Sequence, residues 1–413
     1  MVGKKLTAQT LGIIADDLTG SMDSSGYFAG RGLSTVVVLD PGFSARADVV
    51  VINTDSRAED PDTAGERVRQ AVRSLKKRVI YKKIDSTLRG NIGVELAAAM
   101  SETACDKAVV APALPAVDRT MSGGILLVNG MAVAETQFAV DPISPVKESN
   151  LPGLLAQATG RQVGLVGVAD IDAGAESLRR RISEMPADIV VCDVEKPSHL
   201  VGIVQAAALA EGRWLLCGSG GMARELYRII SPSGNNPVKP SGRPPGPALA
   251  VVGTRHQVAA NQLRKAQDVL GFPILSLGRE HLGRGDEGIA RIAAEAARLL
   301  TEGKGVAISG TLSPYIPELK TIPAVMAAAT RQILSSGKFG GLFLSGGDIA
   351  VEVCRRLSVA AISVLGEVEP GVPAGELLGG RFQGMRVVTK AGGFGTEEAL
   401  VKSILYLEKG YLP

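Results

Sequence analysis

Short runs of consecutive apolar residues, many of them β-branched, recur along the whole chain and constrain its fold more than any other feature. The runs are separated by stretches long enough for a helix or an extended loop. Strands that are apolar at nearly every position are typical of parallel sheets with both faces covered. The pattern therefore predicts an α/β protein with mainly parallel sheets. The runs are LGIIA, STVVVLD, DVVVINTD, RVIYKKID, KAVVAPAL, QVGLVGV, DIVVCDV, ALAVVGT, GVAISGT, GLFLSGGD and MRVVTKAGG.

A proline-rich segment from Ser231 to Pro247 divides this series of strands. It holds six prolines and three glycines in seventeen residues, a composition that sustains neither a helix nor an interior strand. With 413 residues, the chain is also too long for one ordinary core. We therefore expect two α/β domains, residues 1–240 and 247–413, joined by a linker at about 231–247.

Composition and charge exclude several classes of function. The net charge of +3 is too small to indicate binding to nucleic acid or to a membrane surface. The 4% aromatic content argues against base-stacking platforms, and the four cysteines are too far apart for a metal knuckle or a disulfide framework. No segment resembles a signal peptide or a membrane span. We expect a cytoplasmic protein without nucleic-acid or membrane partners, and the sequence leaves homo-oligomerisation open.

Polar residues follow the predicted strands directly in both halves of the chain. In open parallel sheets, ligands bind beyond the carboxyl ends of the strands. The recurrence in both halves predicts two facing binding surfaces, with the active site in the cleft between the domains. The clusters are Asp16-Asp17, Asp55, Asp85, Thr254, Ser309-Gly310, Ser345-Gly346-Gly347-Asp348 and Lys390 to Gly395.

Two adjacent carboxylates, Asp16 and Asp17, stand where the first strand ends. A single aspartate could cap the helix that follows. Two neighbouring like charges need a cation or several hydroxyl donors beside them, and a polyhydroxylated ligand supplies such donors. A binding role is therefore favoured over a purely structural one.

The segment KKIDSTLRGN carries the second candidate cluster. Lys83 and Asp85 alternate along the predicted strand and so point to the same side. Ser86 adds a hydroxyl, and Arg89 offers a planar fork suited to a carboxylate. Arg119, after another strand, is a further cation. The alternative is an internal Lys–Asp pair with a helix cap.

Two strand–glycine–helix segments in the second half, LSGGD and TKAGGFG, predict a phosphate site. Glycines at the start of a helix let backbone N–H groups approach phosphate oxygens. Neither segment is a Walker motif or a GxGxxG fingerprint, so a pair of tight turns is the alternative. The three histidines fit no metal spacing, and the metal ligands stay unknown. The candidate nucleotide-binding residues are Thr254, Ser345, Gly346, Gly347, Asp348, Lys390, Gly392 and Gly393.

Together with IADDLTGSMDSSGYFA, APALPAVDRTMSGGILLVNG and FAVDPISP, these segments resemble the four-carbon acid sugar kinases over essentially the whole chain. The resemblance implies transfer of phosphate from ATP, with Mg²⁺, to the terminal (C4) hydroxyl of threonate, erythronate or 3-oxo-tetronate. It implies that the second domain binds ATP through Gly346, Gly347 and the Gly392-Gly393 loop. The acid-binding residues that it implies in the first domain are Asp16, Asp17, Lys83, Asp85, Ser86 and Arg89.

One segment departs from the family pattern. Many members have a Gly-Ser-x-Ser stretch where this chain has GTRHQVAANQ, Gly253 to Gln262. Thr254 keeps a hydroxyl, whereas Arg255 and His256 alter the loop. The departure bears on the nucleotide site and on the choice of substrate.

In such a kinase, one carboxylate of the Asp16-Asp17 pair would take the proton of the attacking hydroxyl. Asp17, nearer the helix, is our candidate base. The reverse assignment stays open, because adjacent strand residues point to opposite sides. Two other functions remain as alternatives. One is a nicotinamide-dependent dehydrogenase of a hydroxy acid, against which the missing GxGxxG counts. The other is a non-catalytic two-domain sensor of sugar acids.

Overall fold

A computed structural model describes residues 10–75, 78–230, 244–278, 281, 284–311, 322–336 and 339–410. The described residues form two compact units. One lies within residues 1–24 and 46–235, and the other within residues 25–45 and 236–413. Of the predicted linker, residues 231–243 lie outside the described residues.

Strands alternate with helices along most of the chain, as the apolar runs predict. In chain order the strands are β1 (Leu11–Ala15), β2 (Thr35–Val38), β3 (Val49–Asn53), β4 (Val79–Lys83), β5 (Lys107–Ala111), β6 (Arg119–Ser122), β7 (Ile125–Val128), β8 (Met131–Ala132), β9 (Val163–Val166), β10 (Ile189–Cys192), β11 (Trp214–Gly218), β12 (Ala248–Val252), β13 (Ile274–Ser276), β14 (Val306–Ser309), β15 (Gly341–Ser345), β16 (Ala361–Glu369), β17 (Val372–Leu378) and β18 (Arg386–Lys390). The helices are α1 (Leu18–Ala29), α2 (Pro61–Ser74), α3 (Ile92–Thr103), α4 (Leu151–Thr159), α5 (Val168–Asp172), α6 (Ala175–Glu184), α7 (Pro197–Ala208), α8 (Gly220–Glu225), α9 (Gln257–Leu270), α10 (Asp286–Thr301), α11 (Ile322–Ser336), α12 (Gly347–Arg356) and α13 (Ala399–Lys409). No helix in the described part of the chain is both long enough and apolar enough to cross a membrane.

Seven parallel strands form the main sheet of the first unit, in the order β3-β1-β4-β11-β5-β10-β9. β1 and β10 are buried at every position, as expected when both faces of a parallel sheet are covered. Ala15 at the end of β1 lies between Asn53 of β3 and Lys83 of β4. The residues that follow these three strands therefore meet at one edge of the sheet.

A small antiparallel sheet, β6-β7-β8, follows β5. The turn between β6 and β7 needs glycine, because Gly123 and Gly124 both adopt positive φ angles, 59° and 76°. Their N–H groups donate to the carboxylate of Asp193 at 2.8 and 2.9 Å. The sheet begins at Arg119, the cation that the sequence places near the candidate site.

Eight strands form the sheet of the second unit, in the order β13-β14-β12-β15-β18-β17-β16-β2. The first five are parallel, and the last three pair antiparallel. β2 comes early in the sequence but forms a ladder with β16, with Thr35 opposite Val364 and Val38 opposite Ala361. Residues 25–45 therefore belong to the second unit, whereas the sequence placed them in a first domain of residues 1–240.

Candidate active site

The guanidinium of Arg57, four residues after β3, lies among three carboxylates at the edge of the first sheet. Its Nε donates to Asp16 Oδ2 at 2.8 Å, and its Nη2 donates to Asp16 Oδ1 at 3.0 Å. Nη2 also donates to Asp17 Oδ1 at 2.9 Å and lies 3.7 Å from Asp85 Oδ1. One cation thus offsets the repulsion among carboxylates from two strand ends.

Asp16 and Asp17 have different surroundings. Asp16 is 3% exposed. Burial alone would raise its pKa, but the charge and hydrogen bonds of Arg57, with the charges of Lys82 and Lys83, hold the pKa below its ordinary value. Asp17 is more exposed and caps α1, accepting hydrogen bonds from Thr19 Oγ1 at 2.5 Å and from the N–H of Gly20 at 3.1 Å.

Asp85 and Arg89 form a two-point ion pair. Nε of Arg89 lies 3.0 Å from Asp85 Oδ2, and Nη2 lies 3.2 Å from Oδ1. Burial would raise the pKa of Asp85, but Arg89 and Arg57 hold it well below its usual range. The third nitrogen of Arg89 donates to Asp141 at 3.3 Å. Asp85 itself raises the pKa of Arg89 above its usual value, so this side chain stays charged.

Ser86 and Lys83 complete the predicted set at this edge. The Ser86 hydroxyl accepts a hydrogen bond from Nη1 of Arg119. Nζ of Lys83 donates to the carbonyl of Ile84 at 2.9 Å. A Cβ placed on Gly20 would lie 3.1 Å from Lys83 Nζ and 2.4 Å from Asp17 Oδ1, so the three residues are in close contact. The first unit therefore gathers all six predicted acid-binding residues, together with Arg57 and Arg119.

A buried ion pair between Lys82 and Glu95 holds the loop that carries Arg57. Nζ of Lys82 lies 2.7 Å from Glu95 Oε2, and both side chains are at most 1% exposed. The other Glu95 oxygen accepts a hydrogen bond from Ser56 Oγ at 2.6 Å. Because Ser56 precedes Arg57, the pair anchors the loop that carries Arg57 to α3.

Gly90 packs directly against the Arg57–Asp16 pair. Its φ angle is 93°, a conformation that other residues rarely adopt. A Cβ at this position would lie 3.2 Å from Arg57 Cγ and 3.3 Å from Asp16 Oδ2. Leu88, two residues earlier, also has a positive φ, 62°. The backbone of the DSTLRGN segment is thus strained where it lines the site.

In the second unit, the ammonium of Lys390 holds the glycine loop that follows β18. Nζ donates to the carbonyls of Ala391, Gly392 and Phe394 at 2.9, 3.0 and 3.0 Å. These bonds use all three of its protons. Burial lowers the pKa of Lys390 to about 8, against the opposing charge of Glu369. The side chain of Gln262 donates to the next carbonyls of the loop, those of Phe394, Gly395 and Thr396.

With its carbonyls held in this way, the loop leaves N–H groups available. Within the described residues, the N–H groups of Gly392 and Gly393 donate to no protein acceptor. A Cβ on Gly392 would lie 2.1 Å from Thr254 Oγ1, and one on Gly393 would lie 2.9 Å from His256 Nε2. Two N–H donors, a hydroxyl and a nearby lysine charge form an arrangement that binds anions.

The LSGGD segment contributes backbone groups rather than side chains to this candidate anion site. Gly346 has a φ angle of 108°, and a Cβ there would lie 3.7 Å from Thr254 Cβ, so this turn adjoins the same loop. Gly347 begins α12. The hydroxyl of Ser345 is buried and has no hydrogen-bond partner, whereas Asp348 is exposed in the first turn of the helix. Among the described residues, no group of three or more His, Cys, Asp or Glu side chains forms a metal site.

Comparison with known families identifies both halves. A family model described as a sugar-binding N-terminal domain matches residues 11–226. A second, described as a nucleotide-binding C-terminal domain, matches residues 249–400. A D-threonate kinase of Salmonella typhimurium is 33% identical, over 97% of this chain and 98% of that protein. The chain belongs to the four-carbon acid sugar kinase family.

Other members of the family differ in the acid that they are named for. A D-erythronate kinase of Heliobacterium modesticaldum is 30% identical over 96% of both chains. A 3-oxo-tetronate kinase of Methylobacterium radiotolerans is 27% identical, over 93% of this chain and 96% of that protein. The chain is therefore an enzyme of the kinase class, as predicted, and neither the dehydrogenase nor the sensor interpretation is retained.

Solved structures support the same fold. A Haemophilus influenzae protein aligns over 95% of this chain with a TM-score of 0.74, and a Salmonella typhimurium protein aligns over 95% with a TM-score of 0.82. Both are 24% identical, so the likeness concerns the fold alone. The predicted α/β class with mainly parallel sheets is confirmed.

Sequence reasoning missed the residue at the centre of this sugar acid kinase's first-unit cluster, Arg57. Its signal was present, because NTDSRAED follows a strand just as the other clusters do. Asp55 was singled out from that segment, although Arg57 two residues later makes the contacts. Gln262 was missed because its role depends on a loop more than a hundred residues away. No local pattern reports such a contact.

Proposed function

We propose that the protein transfers the γ-phosphoryl group of ATP to the terminal (C4) hydroxyl of a four-carbon sugar acid of the threonate, erythronate or 3-oxo-tetronate type. The observation that carries the proposal is the cluster of Asp16, Asp17 and Asp85 around Arg57, flanked by Arg89. It offers both acceptors for hydroxyl groups and cations for a carboxylate within one small region. The names of the relatives support the same class of substrate.

The chemistry of the first unit follows from that cluster. Guanidinium groups bind carboxylates through paired hydrogen bonds, so Arg57, Arg89 and Arg119 are the candidates for holding the acid group. The aspartates accept hydrogen bonds from the hydroxyls. Asp17, the more exposed of the first pair, takes the proton of the attacking hydroxyl, while Asp16 holds Arg57 in place. Lys83 contributes positive charge near the reacting group.

The second unit binds ATP in this proposal. The N–H groups of Gly392 and Gly393, with the Thr254 hydroxyl and the Gly346-Gly347 turn, contact phosphate oxygens. Mg²⁺, which is usually held by phosphates and only one or two carboxylates, would supply charge neutralisation there. Asp348 is the exposed carboxylate at that helix start. In this proposal Lys390 supports the glycine loop through the carbonyls that it holds, and the Ser345 hydroxyl, which is buried without a hydrogen-bond partner, makes no contact with ATP.

The test is a panel of four-carbon acids assayed with Mg-ATP by coupled detection of ADP. The panel holds both enantiomers of threonate and of erythronate, and 3-oxo-tetronate. We expect ADP release that depends on at least one of these acids. Threitol and erythritol, which keep the hydroxyls and lack the carboxylate, should be poor substrates if the arginines bind the acid group.

The phosphorus NMR spectrum of the product tests the position of transfer. An ester of the terminal CH₂–OH group gives a signal split into a triplet by its two neighbouring protons. An ester of an internal CH–OH group gives a doublet, which would contradict C4 transfer while leaving the kinase intact. Absence of acid-dependent ADP release across the whole panel would overturn the proposed substrate class.

A further inference from the structure

A cavity of about 390 Å³ opens at the amino ends of β4 and β11 in the first unit. Its lining includes Val79 and Ile80 of β4, and Trp214 and Leu215 of β11. The candidate active site lies at the carboxyl ends of the same sheet, after Lys83. The two regions are therefore at opposite edges of the sheet. The volume falls within the range of small-molecule pockets, roughly 300–1,000 Å³.

Most of the cavity wall is apolar. Side chains of α2, of β11 and of the segment after α8 supply it, and Trp214 provides the one large aromatic face. Apolar surface left in contact with water is unfavourable, and a bound apolar group would cover it. The apolar lining residues that keep part of their surface exposed are Val79, Ile80, Trp214 and Ile229. A sugar acid, which carries a hydroxyl on most carbons, has no matching surface.

The charged side chains of the lining are unbalanced. Three arginines, Arg73, Arg78 and Arg213, face one carboxylate, Glu102. Glu102 is already engaged by Arg73, with Nη2–Oε1 and Nε–Oε2 distances of 2.6 and 3.1 Å. Arg213 Nη2 in turn lies 3.9 Å from Asp106 Oδ1, so the positive charge of the lining that stays without a close carboxylate of the described residues is that of Arg78.

Among the described residues, Arg78 is the arginine of this lining with no carboxylate within 4.0 Å of its nitrogens. Its Nη1 donates to the carbonyls of Ala47, Asp48 and Leu11 at 3.0, 3.4 and 3.5 Å. Within the described part of the chain, no carboxylate lies within 4.0 Å of its nitrogens, and its Nε and Nη2 donate to no acceptor. Partial burial lowers its pKa, against the opposing charge of Asp48. Nε and Nη2 form one of the two-donor edges that bind a planar carboxylate.

We propose that this cavity binds a small carboxylic acid with a flat apolar body, whose carboxylate pairs with Arg78 and whose body packs against Trp214. The inference is independent of the kinase substrate, because it concerns a different edge of the sheet and an apolar rather than a polyhydroxylated acid. It adds a second small-molecule site to the first unit.

Trp214 makes the test direct, because it is the only tryptophan in the chain. The full-length protein is titrated with phenylacetate and, in parallel, with phenylacetamide, which has the same shape without the charge. Tryptophan emission is followed throughout. We expect a saturable change in emission with phenylacetate. The affinity for phenylacetamide should be lower by at least about tenfold, because the amide cannot form the hydrogen-bonded charge pair.

Arg78→Gln should bring the two affinities together, whereas Arg69→Gln, an exposed arginine of α2 outside the lining, should change neither. Arg78 also donates hydrogen bonds to three carbonyls, so Arg78→Gln removes structural contacts as well as the charge. A second variant therefore separates loss of binding from loss of folding. Ala207→Leu adds bulk to the lining from α7 and should abolish binding with Arg78 in place. Emission that does not saturate in the native protein, or equal affinities for acid and amide, would overturn the proposal.

Discussion

Arg57 and Asp16 stand forty-one residues apart in sequence and form a two-point ion pair, with N–O distances of 2.8 and 3.0 Å. Asp16 is almost fully buried, so its charge is stable only while this partner is present. The same guanidinium reaches Asp17 and Asp85. The pair therefore links the two segments that the sequence singled out.

Replacing Arg57 with glutamine should destabilise the protein and make its stability respond differently to pH. Removing one partner of a buried pair costs about 3–5 kcal/mol. In the native protein the pKa of Asp16 is depressed, so its contribution is present above the ordinary carboxyl pKa and is lost only on strong acidification. Without Arg57, burial raises that pKa, and the variant regains stability as the pH falls.

Urea unfolding at about pH 7 and about pH 5 measures this difference. The gap in unfolding free energy between native protein and Arg57→Gln should narrow at the lower pH. Arg69→Gln, which breaks an exposed pair with Glu66, should cost no more than about 1 kcal/mol at either pH. A gap that stays constant would mean that Asp16 keeps its charge without Arg57.

Asp17→Asn should lower kcat by roughly 10²–10⁴ while the sugar acid still binds measurably in calorimetry. Asparagine also caps helices well, so it can accept the hydrogen bonds of Thr19 and Gly20 and keep α1 intact. The loss would then be chemical rather than structural. Asp16→Asn, by contrast, should weaken both acid binding and stability, because it disrupts the Arg57 pair. Near-normal turnover of Asp17→Asn would move the base to Asp16 or Asp85.

The affinity for ATP should fall as the pH rises through about 8, the lowered pKa of Lys390. Below that pH the amine is charged and donates to three carbonyls, whereas above it the charge and one donor are lost. The KM for ATP should therefore rise on the alkaline side, with the KM for the acid changing less. In Lys390→Met the KM for ATP should be high at every pH and independent of this titration.

The pH dependence of the unfolding free energy is the control for that experiment. Between the lowered pKa of about 8 and the ordinary value of 10.5, the unfolded chain binds a proton that the folded protein does not. This group therefore makes the folded state more stable as pH rises, which is the opposite direction to ATP affinity. Lys265→Met, at a surface pair with Glu398, should leave the pH profile unchanged. A profile that persists in Lys390→Met would assign the titration to another group.

The buried pair of Lys82 and Glu95 should show strong coupling. Glu95→Gln leaves a fully buried ammonium without its counter-ion and should cost about 3–5 kcal/mol of unfolding free energy. The double variant Lys82→Met with Glu95→Leu removes both charges. It should lose less unfolding free energy than the sum of the losses in Lys82→Met alone and Glu95→Leu alone. A loss in the double variant equal to the sum of the two single losses would show that the two charges do not depend on each other.

The sequence was informative where the signal is local. Parallel strands that are buried on both faces are apolar at nearly every position, so β1, β3, β12 and β15 could be predicted from their own residues. The hairpin of β16 and β17 was not predicted, because Pro373 and the glycines of EPGVPAG favour a loop rather than a strand. Antiparallel pairing of β17 with β16 and β18 supplies the hydrogen bonds that outweigh this preference.

The candidate site divides in the same way. The sequence by itself determined that Asp16, Asp85 and the glycines of TKAGGFG stand at the ends of strands, because a strand end is a local property. Only the tertiary structure decided which of these ends meet, that Arg57 lies at their centre, and that Lys390 holds the carbonyls of its own loop. It also assigned β2 to the second unit and left Arg78 beside an apolar cavity. These facts depend on strand order and side-chain packing, which are settled by contacts between residues far apart in the chain.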